Sequence, residues 1–162
     1  MNDGFLPMTP CGRSNTVAAI KIRDANYSDR DGILAIDEIA QCEQQRIDFI
    51  ERVLGSATCL VADSDGTVVA YAVLEYSFFG NGFISMVYVA KSARRQGVGQ
   101  SLMRALANQC KTSKLFTSTN ESNSAMRALL ATLGYVPSGV IENLDPNDPE
   151  LVFLLNLDRR GL

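Results

Sequence analysis

The stretch "VYVAKSARRQGVGQSLMRAL", Val87 to Leu106, decides how the rest of the chain is read. It opens on β-branched and aromatic residues, passes through two arginines and two glycines, and continues with Val98, Leu102, Leu106 and then Cys110 four residues apart. That order predicts a strand, a basic turn and an amphipathic helix. Gly97 and Gly99 lack a Cβ, so backbone there can approach a ligand closely and adopt φ/ψ values closed to other residues. The first N–H groups of a helix have no partner within it, and its dipole favours an anion. With Arg94 and Arg95 just ahead of those amides, the stretch has the make-up of a phosphate-binding device. A tight strand-to-helix connection with solvated arginines has the same composition, and on residue types alone both readings stand. Two nucleotide motifs do not fit. A P-loop needs Lys and Ser/Thr after its second glycine, whereas Gly99 is followed by Gln100 and Ser101. A dinucleotide fingerprint needs a third glycine, and Met103 stands where one would be sought.

Around this stretch the chain is of ordinary single-domain size, 162 residues, 46% of them apolar, enough to bury a core. A net charge of −3 argues against nucleic acid as a partner. No apolar run approaches the roughly 18 residues that span a bilayer, so no membrane partner is expected. The opening "MNDGFLPMTPCGRSNTV" has no long apolar core of the signal-peptide kind. Residues 1–18 are expected to be a flexible tail and residues 19–162 one domain. Cys11, Cys42, Cys59 and Cys110 form no CxxC pair, which argues against a zinc ribbon or dithiol motif; the expectation is three buried thiols and one in the tail, in a reducing cytoplasm. The chain contains no histidine. That excludes Ser-His-Asp and Cys-His mechanisms and the imidazole-based zinc sites, and leaves proton transfer to carboxylates, Tyr, Lys, Cys, backbone or water.

Residues 18–25 alternate as a strand does. "YSDRDGILAIDEIAQ" reads as a helix with Ser28 as N-cap and Ile33, Leu34, Ile36 and Ile39 as its apolar face. A second helical piece covers Gln44 to Leu54 and stops at Gly55. Thr58–Ala62 and Thr67–Phe78 flank Asp65-Gly66, a strong hairpin turn. Gly82–Ala90 and Lys114–Asn120 are further strands, and "SNSAMRALLATLGY" is a helix with Met126, Leu129, Leu130 and Leu133 on one side and Gly134 at C′. Two strands around the acidic turn "DPNDPE" end the chain. Runs of strands and helices in this order predict an α/β domain of the mixed α+β kind, not a doubly wound sheet.

"RRQGVG", Arg94 to Gly99, resembles the R/Q-x-x-G-x-G/A signature of the GNAT superfamily of acyl-CoA N-acyltransferases. "SMVYVAKSARRQGVGQSLM" is similar to that family's fourth strand, pyrophosphate loop and third helix; "SNSAMRALLATLGYVPSG" to its later Asn-started helix; "IKIRDANYSDRDGILAI" to its opening. The resemblance runs from about Ala19 to Leu157. It implies a mostly antiparallel central sheet with a splayed strand pair, flanked by helices, and acetyl-CoA as cosubstrate. It further implies that the amides from Arg95 through Gln96, Gly97, Val98 and Gly99 to Gln100 or Ser101 hold the pyrophosphate, with Arg94 and Arg95 adding charge. Val87 and Val89 would pair their backbone with the pantetheine arm, with Tyr88 between them in the same segment, and Asn123 would contact the arm while also suiting a helix cap. Homodimers are frequent in the family.

The family reaction passes an acyl group from the thioester to an amine, with an oxyanion donor expected from the N–H of Val87 or Val89. The proton carriers do not transfer. Leu130 occupies the family's tyrosine position, seven residues after Asn123; Ser85 and Ser118 stand where some members carry a glutamate. Glu75, on the hairpin strand, is a candidate base, and Ser85 a candidate for ordering a water; a solvent-facing glutamate and an inert strand serine are the plainer alternatives. Tyr76 and Tyr135 are weaker candidates, better suited to packing. The acidic group Glu142, Asp145, Asp148 and Glu150 suits either steering of a cationic amine or an ordinary polar turn. Two functions remain: an active acetyl-CoA-dependent N-acetyltransferase acting on an unidentified amine, and a non-catalytic acyl-CoA-binding module.

Overall fold

A computed structural model describes residues 19–158. The expected tail, with Cys11, lies outside the described residues. The chain runs β1 (Ile20–Asp24), α1 (Arg30–Ile36), α2 (Gln44–Ser56), β2 (Thr58–Ser64), β3 (Thr67–Phe78), β4 (Asn81–Val89), α3 (Val98–Gln109), β5 (Lys114–Asn120), α4 (Ser124–Thr132), β6 (Val136–Asp145) and β7 (Asp148–Asn156). The seven strands form one sheet in the order β1-β2-β3-β4-β5-β7-β6. Every pairing is antiparallel except β4 with β5, which needs a crossover, and α3 supplies it. The mixed α+β reading therefore holds.

Two cores hold the helices to the two faces. Leu102, Leu106 and Leu130 pack on Leu74, Ile84 and Leu115 to fix α3 and α4. Ile33, Ile50 and Val53 pack on Val61, Tyr71 and Val73 to fix α1 and α2. Strands β2 and β3 are thus buried on both faces and read as near-continuous apolar runs. Edge strand β6 is exposed along its whole length.

Turn chemistry sets the registers. Asp65 and Gly66 sit at φ 50° and 85°, the two positive values of a type I′ hairpin turn. Phe79 and Gly80, at φ 49° and 73°, make a second turn of that kind between β3 and β4. Gly134 has φ 84°, and its N–H donates to Ala131 O while that of Tyr135 donates to Leu130 O, the paired bonds of a Schellman cap.

Three expectations are corrected. Ser28 is not the N-cap: Asn26, with extended φ/ψ, accepts from Ser28 N–H at 2.9 Å and Asp29 returns a bond to Asn26 N–H, so a single 3₁₀ turn precedes α1. Gly55 does not stop α2, which runs on to Ser56, because no left-handed residue ends the helix and Ala57 leaves it in extended conformation. Of the described cysteines only Cys59 is buried, its thiol pushed up to about 12 by burial; Cys42 is exposed and Cys110 half-buried. Among the described residues, no helix is long and apolar enough to cross a membrane.

Candidate active site

The site begins where β4 and β5 part. Their pairing ends at Ile84 with Thr117, and Thr117 Oγ1 donates to Ile84 O at 3.0 Å at that point. Beyond it β4 has β3 on one side and an open edge on the other. The β3 register then slips: Leu74 opposes Ile84 and Val73 opposes Met86, which leaves Ser85 as the extra residue of a β-bulge. Ala90 N–H donates to Val69 O at 2.9 Å, which sets the phase of the ladder. Residues alternate between the two edges, so Met86 and Tyr88 bond to β3 while Val87 and Val89 direct N–H and C=O to the open edge. Tyr88 thus contributes its place in the segment but not free backbone groups. Its ring stacks on Tyr71 and its hydroxyl accepts from Glu38 N–H at 3.1 Å.

The basic loop follows. Arg94 Nε donates to Val89 O at 3.0 Å, and Gln96 Nε2 to Ser92 O at 3.0 Å, so both side chains brace the loop. Arg95 and Gly97 take φ of 61° and 78°. Left-handed residues set among right-handed ones turn successive N–H groups into one concavity, the arrangement called a nest. Among the described residues, the amides from Arg95 to Gln100 reach no acceptor; the first one used is that of Ser101, which donates to Gly97 O at 3.0 Å. The cradle therefore ends at Gln100, and Ser101 belongs to the helix ladder.

A cavity of about 690 Å³ opens in front of these amides. Val87, Tyr88 and Val89 form its strand side; Arg94, Arg95, Gly97, Val98, Gly99 and Gln100 its loop; Asn123, Met126 and Leu129 its far wall on α4. Of the expected cofactor residues, only Gln96 and Ser101 stand outside it. Asn123 takes both roles open to it, since Oδ1 caps α4 by accepting from Met126 N–H at 3.1 Å and the residue also lines the cavity. Of the four residues expected on one side of α4, Met126 and Leu129 are half-buried and line the cavity, while Leu130 and Leu133 are buried. A Cβ on Gly99 would lie 3.6 Å from both Leu129 and Val89, ordinary contact, so the space its hydrogen leaves belongs to the cavity and not to packing.

Glu75 and Ser85 lie on the other face of the sheet, toward α2, whereas Tyr76 and Tyr135 pack with the core under α3 and α4. Glu75 is paired with Arg52 at 2.7 Å. Burial pushes its carboxyl up, but the Arg52 guanidinium and the Ser85 hydroxyl outweigh this and hold it below the usual glutamate range. Such a carboxylate is a fixed negative charge, poorly matched to taking a proton near neutral pH. Ser85 Oγ is buried at the bulge and completes no well-formed hydrogen bond, although it stands close enough to Glu75 to help hold it low. Leu130 is fully buried, so the position where relatives carry tyrosine serves the core here. Tyr76 accepts from Lys111 N–H at 2.9 Å, and Tyr135 is buried. In the acidic group, Asp145 accepts from Asn120 at 2.8 Å and Asp148 from the N–H and hydroxyl of Ser122, which holds Asp148 low. These contacts brace the β6–β7 turn against β5 and the segment that follows it.

Sequence reasoning missed α2's share. Arg46, whose guanidinium lies 2.8 Å from Met86 Sδ, Phe49 and Arg52 stand three residues apart on one helix face, with Arg52 over the Phe49 ring. Their spacing was the available signal.

The chain belongs to the GNAT family of acetyltransferases, whose family model, "Acetyltransferase (GNAT) family", matches residues 21–135. Among solved structures it is similar to a GNAT-family acetyltransferase from Bacillus cereus, 30% identical, covering 85% of this chain and 97% of that one with a TM-score of 0.80. In fold it also resembles the ribosomal-protein-S18-alanine N-acetyltransferase of Escherichia coli (18% identity, 86% and 94% covered, TM-score 0.75). The structure of yncA from Salmonella typhimurium, solved with acetyl-CoA, is a third (21% identity, 89% and 97% covered, TM-score 0.71). Among proteins with curated descriptions, none matches significantly.

Proposed function

We propose that this protein is an N-acetyltransferase that moves the acetyl group of acetyl-CoA to a primary amine by direct attack, with both substrates bound together. One observation carries the reading: Arg95 and residues 97–100, whose amides have no acceptor among the described residues, line the same cavity as Val87 and Val89 on the open edge of β4. A diphosphate needs several convergent N–H donors, and a pantetheine arm with its two amides needs a strand edge to pair with. Both stand here in line. Arg94 and Arg95 supply positive charge, Val87 and Val89 supply strand-edge groups, and Asn123 on α4 closes the far side.

The bound thioester supplies an activated acetyl carbon. The amine lone pair forms the C–N bond, the C–S bond breaks, sulfur leaves as thiolate to be protonated by solvent, and the amine gives up one proton. The N–H of Val87, on the open edge just past the bulge, is the donor for the developing oxyanion. Ser85 orients the amine: Glu75 draws its hydroxyl hydrogen and leaves the oxygen lone pair free to accept the N–H of the attacking group. Glu75, held ionised by Arg52, acts through Ser85 as a positioning residue, and the proton passes to water.

A second reading, a non-catalytic acyl-CoA-binding module, draws on Leu130 and on the low Glu75 carboxyl. Thiol release from acetyl-CoA across a broad amine panel separates the two. Turnover with some amine, abolished in Gly99→Glu, is the expected result; tight acetyl-CoA binding with turnover of no amine supports the module instead.

A further inference from the structure

The proposed reading leaves the amine open, and the sheet face opposite the cofactor cavity narrows it. Ile84 and Leu115 belong to the core under α3 and α4, so their neighbours Phe83 and Phe116, which oppose each other across β4 and β5, point to the α2 face. Phe78 joins them, its ring centroid 5.0 Å from each. All three rings are half-buried and belong to neither core. They surround the point where β4 and β5 part: Phe83 is two residues before Ser85, and Phe116 immediately precedes Thr117, the last residue of β5 that pairs with β4. On α2, Phe49 is half-buried against the core of that face and shares its side of the helix with Arg46 and Arg52, which reach Met86 on β4 and Glu75 on β3. Two residues past Phe83 lies the buried Ser85 hydroxyl, close to Glu75; the hydroxyl oxygen accepts no hydrogen bond among the described residues and would be satisfied by the N–H of a bound group.

Charge supports the same chemistry. The carboxylates nearest the bulge are already engaged: Glu75 by Arg52, Asp37 by the Tyr71 hydroxyl and Arg46, and Glu38 by Lys91. Glu150 on β7 opposes Asn120, four residues along β5 from Phe116 and so roughly 13 Å away. A polycation finds little here to hold its further charges, whereas a flat apolar body finds a group of half-buried rings.

Resting on the acetyltransferase reading, we infer that the acceptor is a small primary amine carried on an aromatic body, its ring among Phe49, Phe83 and Phe116 and its nitrogen at Ser85. The test compares kcat/KM for phenethylamine, butylamine, spermidine and a dipeptide amide, in the full chain and in Phe116→Ala. Phenethylamine is expected to lead, and Phe116→Ala to cut its kcat/KM at least about tenfold more than that of butylamine, chiefly through KM. Phe116→Leu, which keeps the bulk and loses the ring, guards against misfolding: its acetyl-CoA affinity by calorimetry stays at the wild-type value while phenethylamine turnover falls. Spermidine or the dipeptide leading the panel, or equal losses for both monoamines in the variants, overturns the aromatic assignment and leaves the acetyltransferase reading intact. Turnover of no amine overturns both.

Discussion

The two faces of the sheet meet at Ser85 but are built differently. On the α3–α4 face, the groups proposed to hold the cofactor are backbone amides from one run of residues, Arg95 to Gln100, with a neighbouring strand edge, all fixed by local conformation. On the α2 face they are side chains gathered from α2, β3, β4 and β5, fixed only by the tertiary fold. A main-chain nest reads charge and shape common to every molecule with the same diphosphate. A side-chain recess can be rebuilt one residue at a time, so it is where chains sharing the first device can differ in acceptor.

The largest effect tests the backbone side. In Gly99→Glu, a carboxylate enters the cavity beside the unpartnered amides and takes the place of an anion there. Acetyl-CoA affinity by calorimetry should fall at least about 100-fold, from lost donors and like-charge repulsion together. Wild-type affinity in this variant would place the diphosphate elsewhere. The next effect tests the side-chain face. Glu75→Ala should lower kcat roughly 10- to 100-fold with acetyl-CoA KM unchanged, whereas Glu75→Gln, whose amide oxygen still accepts from Ser85, should keep activity within about threefold of wild type. If Gln fails as badly as Ala, the carboxylate takes the proton itself. Because Glu75 is low and stays ionised, the rise of kcat/KM from pH 6 to 9 should follow deprotonation of the amine and persist in both variants.

The same contrast explains what could be read before the fold was known. The cradle was legible because its chemistry is contiguous: Arg94, Arg95, Gly97 and Gly99 stand within six residues, and local backbone needs no distant partner. The order of elements along the chain and most of their boundaries were legible from periodicity and from Asp65-Gly66 and Gly134. Illegible were the partners supplied across the fold. Nothing near Glu75 in sequence announces Arg52, 23 residues earlier, which turns a candidate base into a fixed charge. Met126 and Leu129 read as one side with Leu130 and Leu133 because an apolar wall lining a cavity has the same pattern as one packed on a strand. Ser101 was included because the start of a helix ladder shifts by a residue without any sequence mark.

An ion-pair cluster at β1, the sheet edge three strands from β4, serves as a control. Asp29 is buried and accepts both guanidinium N–H groups of Arg23, which also binds Asp63; the Arg23 hydrogen bonds hold the Asp29 carboxyl below its usual value. A carboxylate lowered by folding adds stability that is fully present above its unfolded value near 3.8 and is lost as pH falls through the lower folded value. Arg23→Gln should therefore cost about 2 kcal/mol at pH 7 and flatten the decline of Tm between pH 5 and 2. Acetyl-CoA affinity at pH 7 should not change. A lost affinity would mean that the cradle depends on global stability and is not locally built.

The smallest effect is the sharpest test of local construction. Gly97 caps α3 at φ 78°, and a Cβ placed there meets no atom within 4 Å. Gly97→Ala therefore adds no clash, only the cost of a left-handed alanine, about 1 kcal/mol. That strain has two outlets. If the loop keeps its shape, the full cost appears as lowered stability in urea, with acetyl-CoA affinity unchanged. If it relaxes toward negative φ, stability is largely spared, but the amides turn away from the cavity and affinity falls by about the same free energy, roughly fivefold. Arg95 already holds φ 61° with a full side chain, and its neighbour Arg94 is braced to Val89 O, so the loop tolerates this conformation without glycine. The first outlet is expected: a loss of about 1 kcal/mol in stability at constant acetyl-CoA Kd.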